Sequence, residues 1–132
     1  MAILDTNILV SLLKGDSDAK SKINALRSSG TNMLTTTITA YELLKGAAIS
    51  SRSAENLERV WDLLSTVDTL ELSLEACEEA SKIYSELRAR GTMIGEFDIL
   101  IAAIARSASD EQSLVTRDGH FKNIKGLRME KW

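Results

Sequence analysis

The 132-residue chain is short enough for one domain, residues 1–132, and long enough to bury a core. Its 44% hydrophobic and 27% charged content is that of a globular protein; no apolar run nears the roughly 20 residues of a membrane span, and no basic lead-in precedes an apolar stretch at Met1, so a cytoplasmic, non-membrane protein is expected. The net charge of −3 excludes a globally basic nucleic-acid binder, and the single cysteine, Cys77, excludes an internal disulfide or a cysteine-built zinc site and is expected as a buried thiol.

In chain order, the apolar run 2–4 ending at Asp5 predicts a brief buried strand. Helices follow over 7–14, stopped by Gly15, and over 17–28, with Ile23 and Leu26 on one face. A strand is expected at 33–36. The helix 38–49 carries Ile38, Tyr41, Leu44 and Ala48 at helical spacing, and the helix 54–65 repeats that period through Leu57, Val60, Trp61 and Leu64. Alternation over 67–72 predicts a half-exposed strand. The long amphipathic helix 74–90 turns Ala76, Ala80, Ile83, Tyr84 and Leu87 inward, with Gly91 past its end. The helix 95–108 is nearly all apolar from Ile99 to Ala105, so it is buried on most sides. Short strands are expected at 113–116 and, as an edge, at 127–131. Strands separated by helices imply crossovers and a mostly parallel sheet, so the expected fold is a three-layer α/β/α sandwich.

In such sheets the functional site lies outside the carboxyl ends of the strands. Asp5 follows the first strand and Thr116-Arg117-Asp118 the fourth, while Glu42 and Asp98 ride on helices that begin near the same edge. Each has a plainer reading. Asp5 suits a helix cap, Glu42 an exposed helix position, Asp98 a first-turn carboxylate favoured by the macrodipole, and Asp118 a turn residue before Gly119. Together they point further. Two carboxylates about 4 Å apart repel by roughly 4 kcal/mol at an effective dielectric of 20, and a divalent cation relieves that repulsion. An all-carboxylate donor set suits hard ions, Mg²⁺ or Mn²⁺, and phosphodiester hydrolysis.

The segments Leu4-Asp5-Thr6-Asn7, Thr39-Ala40-Tyr41-Glu42-Leu43-Leu44-Lys45-Gly46, Ile94-Gly95-Glu96-Phe97-Asp98-Ile99-Leu100-Ile101-Ala102-Ala103 and Leu114-Val115-Thr116-Arg117-Asp118-Gly119-His120-Phe121 occur in an order and spacing that span nearly the whole chain. With them the sequence resembles the PIN-domain family, and within it the VapC-type toxins. The resemblance implies an α/β/α sandwich and a Mg²⁺- or Mn²⁺-dependent endoribonuclease acting on RNA. Asp5, Glu42 and Asp98 match the three core acidic positions, and Asp118 a more variable fourth. Asn7 and Thr116 match polar positions that hold the acidic residues or a metal-bound water, and Glu96 one able to add a water-mediated metal contact. The resemblance also implies a homodimer, and an antitoxin whose C-terminal segment lies in a groove and pushes a basic side chain among the acidic residues. One departure is that the family often has proline near 37–39 or 93–95, and this sequence has none.

Around these motifs, Arg117, His120, Lys122, Lys125 and Arg128 are candidates to hold an RNA backbone, against the alternatives of a solvated surface and, for His120, a loop side chain packed beside Phe121. Aromatic residues are 5% of the chain, so base stacking is not expected to dominate recognition, and Tyr41 and Phe97 read as core packing. No GxxxxGK[ST] loop, GxGxxG turn or Ser-His-Asp order is present, which argues against NTPase, dinucleotide and serine-hydrolase roles. The alternative to a toxin is a PIN-fold RNA-processing nuclease without an antitoxin, and two other functional classes compete with the nuclease: a receiver-like Mg²⁺-binding regulatory domain, and a catalytically silent binding module on the same fold.

Overall fold

The computed structural model describes residues 1–109 and 111–132. Among the described residues the strands are β1 (Ala2–Leu4), β2 (Met33–Thr36), β3 (Asp68–Leu70), β4 (Ser113–Val115) and β5 (Met129–Glu130). They lie in the order β3-β2-β1-β4-β5, and every neighbouring pair is parallel. The helices that make the crossovers are α1 (Thr6–Leu13), α2 (Ser17–Ser28), α3 (Thr37–Ala48), α4 (Ser53–Leu64), α5 (Leu74–Arg90) and α6 (Glu96–Ala108), and a 3-10 turn spans Gly119–Asn123. Every element expected from the sequence is present. The expected strands at 67–72 and 127–131 are shorter than their apolar patterns, because pairing extends only where β2 and β4 lie alongside.

Side chains on a strand alternate between faces, and that alternation splits the interior in two. Ala2, Leu4 and Val115 pack with Ile8, Leu9, Leu43 and Val60 from α1, α3 and α4. Ile3 and Leu114 pack on the other face with Ile83, Leu87, Ile99 and Ile101 from α5 and α6, and with Phe121. The result is three layers, as expected. Each of the largest of these side chains, fully enclosed, contributes about 1.5–3 kcal/mol.

Helix ends follow local chemistry. The side chains of Asp16, Thr36 and Ser73 accept from the backbone N–H of Ala19, Thr39 and Ala76, and so cap α2, α3 and α5. Gly91, at φ 66°, closes α5 in a left-handed conformation that favours glycine.

The buried face of α3 is rotated from the sequence expectation, and those of α4 and α5 are narrower than expected. On α3 the buried stripe is Thr39, Leu43 and Ala47, which leaves Tyr41 exposed. On α4, Val60 and Leu64 are buried and the neighbouring Trp61 is not. On α5 the stripe Ala76, Ala80, Ile83 and Leu87 holds, but Tyr84 and Cys77 face outward, so the thiol expected to be buried is exposed. Adjacent helical residues sit about 100° apart, so the residue after a core position leaves the apolar face.

The sheet order reverses between β1 and β4, where the chain first winds one way and then the other. Receiver-like domains use the strand order 2-1-3-4-5, which this sheet does not share. The crevice at the carboxyl ends of β1 and β4 is therefore the place to look for chemistry.

Candidate active site at the carboxyl edge of the sheet

Each acidic residue reaches this edge by its own local route. Asp5 follows directly on Leu4 and is 4% exposed. Thr116 follows on Val115, fully buried, and brings Asp118 two residues later. β2 runs without a loop into α3, which puts half-buried Glu42 on the second turn of that helix. Asp98 lies in the first turn of α6, half-buried where its dipole favours a negative charge.

Two hydrogen-bond chains hold Asp5, Glu42 and the backbone of Asp118. In the first, the Trp132 indole N–H donates to Asn7 Oδ1 at 3.1 Å, Asn7 Nδ2 donates to Thr116 Oγ1 at 3.1 Å, and Thr116 Oγ1 donates to Asp5 Oδ2 at 2.7 Å. An indole only donates, so it faces the Asn7 carbonyl oxygen and turns the amide nitrogen to Thr116. Thr116 also accepts from the Asp118 backbone N–H at 3.0 Å, so its single hydrogen goes to Asp5. The other Asp5 oxygen accepts from the Thr6 N–H at 2.7 Å. Asp5 therefore caps α1, as its position allowed, and serves the site as well. In the second chain, Thr6 Oγ1 donates to Glu42 Oε1 at 2.9 Å and lies 3.1 Å from Thr39 Oγ1.

The carboxylates lie near enough for their charges to interact, Asp5 with Asp98 and Glu42, and Asp98 with Asp118 and Glu42. Burial pushes the Asp5 carboxyl up to about 6 against the hydrogen bonds from Thr116 and Thr6, and the charges of Asp98 and Glu42 push the same way. Burial also raises Asp98, with Asp118 and Glu42 adding to the rise and His120 opposing it. The tightest grouping is Asp98, Asp118 and His120, whose ligand atoms lie within 4.8 Å of one another. The ion pairs that lysine and arginine form among the described residues fall on Glu130, Glu55, Glu78, Glu79, Glu86 and Asp18, not on these carboxylates. A crowd of carboxylates left without a lysine or arginine among the described residues, with oxygen donors in the majority, fits a hard divalent ion.

The flanking residues divide. His120 is exposed and its Nδ1 lies 3.1 Å from Asp118 Oδ1, while Phe121 is buried in the core. Its imidazole joins a donor set expected to be all carboxylate. Glu96 is exposed and lines a cavity of about 310 Å³ with Glu42, Gly95, Phe97 and Asp98. Lys122 is exposed on the 3-10 turn that carries His120. Arg117 is engaged elsewhere: it lies 3.6 Å over the Trp132 ring, donates to the Trp132 carbonyl at 2.8 Å, and pairs with Asp18 at 3.1 Å. Phe97 and Tyr41, read from the sequence as core, are exposed beside Asp98 and Glu42.

The profile of the PIN domain matches residues 2–127. The chain belongs to the PIN-domain family. It is 30% identical over 132 residues to the "tRNA(fMet)-specific endonuclease VapC" of Shigella flexneri, covering 98% of this chain and 96% of that protein. It is 33% identical to "Ribonuclease VapC2" of Haemophilus influenzae, with the same coverage. Among solved structures, VapBC2 from Rickettsia felis bound to a promoter DNA fragment superimposes with a TM-score of 0.89 at 26% identity, over 99% of this chain and 98% of that one. DNA-bound VapBC from Salmonella typhimurium superimposes with a TM-score of 0.88 at 30% identity, over 99% of this chain and 97% of that one.

In this PIN domain two supporting residues escape sequence reasoning. Thr6 had a weak signal, a polar residue between Asp5 and Asn7 at a strand end. Trp132 had none, since 125 positions separate it from the Asn7 amide it orients.

Proposed function

We propose that this PIN domain is a divalent-metal-dependent endoribonuclease and the toxin half of a VapBC-type toxin–antitoxin pair. One observation carries the reading: Asp5, Glu42, Asp98 and Asp118 gather near the switch point of the sheet, the charges of their neighbours add to burial in raising the Asp5 and Asp98 carboxyls, and among the described residues no lysine or arginine pairs with any of the four. Mg²⁺ is the proposed ion and Mn²⁺ the alternative. The names of the relatives from Shigella and Haemophilus support the nuclease assignment.

These four carboxylates are the proposed ion holders, and His120 stands at the rim. The bound ion supplies charge neutralisation and polarises the scissile phosphodiester. The protein's part is positioning. Thr116 keeps its hydroxyl hydrogen on Asp5 Oδ2, the Thr6 backbone fixes the other oxygen, and the Thr6 hydroxyl holds Glu42 Oε1. Groups held this way need little rearrangement when substrate arrives. Glu96 is assigned a water-mediated contact to the ion, and Lys122 the RNA backbone. Arg117, committed to Asp18 and Trp132, is assigned to holding the Asn7 chain in place rather than to substrate.

A cavity of about 300 Å³ between α1, α3 and α4 supports an antitoxin partner. Val10, Leu13, Leu43, Ala47 and Val60 line it, and it runs up to Glu42. An antitoxin segment lying there reaches the acidic pocket. A homodimer in the cytoplasm completes the proposal, and sedimentation of the purified chain checks the dimer. No helix among the described residues is long and apolar enough to cross a membrane.

The test is cleavage of RNA by the purified chain, beginning with tRNA(fMet) because the Shigella relative is named for it. Cleavage is expected with Mg²⁺ or Mn²⁺, EDTA stops it, and Asp98→Asn removes it. Equal cleavage by Asp98→Asn and the unmodified chain refutes the reading.

A further inference from the structure

Tyr41 and Phe97 each stand one residue before a carboxylate of the site. They come from different helices, α3 and α6, yet their rings meet edge to face with centroids 5.6 Å apart and planes at 87°. Core packing does not account for the pair, because Tyr41 is 53% exposed and Phe97 37%. Lys45 Nζ lies 5.3 Å from both ring centroids. Phe97 also lines the cavity that holds Glu42, Glu96 and Asp98. An exposed aromatic pair, a lysine and the acidic pocket thus form one continuous surface.

Two occupants suit exposed aromatic rings: the apolar face of a protein, or a nucleobase. Lys45 decides between them. Lysine is depleted from the centre of protein interfaces, whereas an ammonium beside stacking rings is the pattern that holds a base and its phosphate together. The surrounding pocket is strongly acidic, so a cation at this one rim gives a polyanion a foothold. We propose that Tyr41, Phe97 and Lys45 form a nucleoside subsite. A base flanking the scissile phosphate of a single-stranded RNA stacks on the aromatic pair, and Lys45 takes the adjoining phosphate. The proposal rests on the ribonuclease reading of the neighbouring site. Stacking is tolerant of base identity, so this subsite positions the strand rather than reading its sequence.

The probe is a single-stranded RNA octamer carrying 2-aminopurine, whose fluorescence falls when the base stacks. It is titrated with Mg²⁺ into the cleavage-deficient Asp98→Asn protein, with and without a second substitution. Tyr41→Leu and Phe97→Leu are each expected to weaken binding about tenfold and to lessen the quench. Tyr41→Phe retains both. Lys45→Met weakens binding about fivefold and lowers the salt slope by about one. In the otherwise unmodified chain, Tyr41→Leu is expected to raise KM and leave kcat within about twofold. Unchanged quench and affinity in both leucine variants overturns the subsite, even if RNA is still cleaved. So does loss of a dimer in Tyr41→Leu with RNA affinity intact, which assigns the patch to a second copy of the chain. An unmodified chain that quenches the probe but cleaves no RNA with either metal keeps the subsite and refutes the nuclease reading alone.

Discussion

Two acidic regions of this molecule behave in opposite ways. On α5 and α6, Glu79 accepts from Arg106 Nε at 2.7 Å and lies 3.5 Å from Lys82, and these partners hold its carboxyl below the usual range. At the edge of the sheet, Asp5 and Asp98 are pushed above it. The residue types are nearly the same and the difference is compensation. The α5 carboxylates meet arginine and lysine from the protein itself. The sheet-edge carboxylates meet hydroxyls, an amide-held threonine, one another and, at Asp118, the exposed His120 imidazole, but no arginine or lysine among the described residues. A fold that leaves several carboxylates uncompensated in a half-buried crevice has kept a place for a cation from outside.

Substitutions in the two regions test that contrast, and the largest effect belongs to Asp98→Asn. It is expected to lower RNA cleavage by about 10³-fold or more, measured as single-turnover rate, while circular dichroism stays unchanged.

Asp5→Asn comes next and carries a second signature. The native Asp5 value of about 6 lies above its unfolded value of 3.8. Its contribution to stability is therefore fully present below about pH 4 and lost as pH rises through about 6, a change of roughly 3 kcal/mol. In EDTA at about pH 8, Asp5→Asn is expected to melt several degrees higher than the unmodified chain. At about pH 4 that advantage disappears. Cleavage is lost even as stability rises. A lower Tm for Asp5→Asn in EDTA at the higher pH contradicts the picture of an uncompensated charge.

Trp132→Phe is a smaller perturbation. It keeps a ring under Arg117 but removes the donor to Asn7. Mn²⁺ affinity, followed by electron paramagnetic resonance, is expected to fall about three- to tenfold with the fold intact. Glu79→Gln closes the series. It breaks the half-buried pair with Arg106, a loss of about 1–2 kcal/mol, and leaves cleavage unchanged.

The layers and the element order were legible because they rest on local periodicity. Ile3-Leu4 before Asp5, the run from Ile99 to Ala105, and the stripe Ala76, Ala80, Ile83, Leu87 each announce an element and its buried face. The rotation of α3 was not legible. Ile38, Tyr41, Leu44 and Ala48 make as good a stripe on paper as Thr39, Leu43 and Ala47. The helix chose the second, since its first turn is tied down by Thr36 and by the Thr6–Thr39 contact. That choice turned Tyr41 outward beside Phe97.

Sequence alone determined where acidic side chains stand relative to strand ends, because a strand end is a local event and its next residue must emerge at the edge of the sheet. Only the tertiary structure decided which polar groups orient those acids, which cations stay away from them, and which aromatic rings remain in solvent. Those outcomes depend on contacts between segments as far apart as Asn7 and Trp132, and no local pattern encodes a distance across the fold.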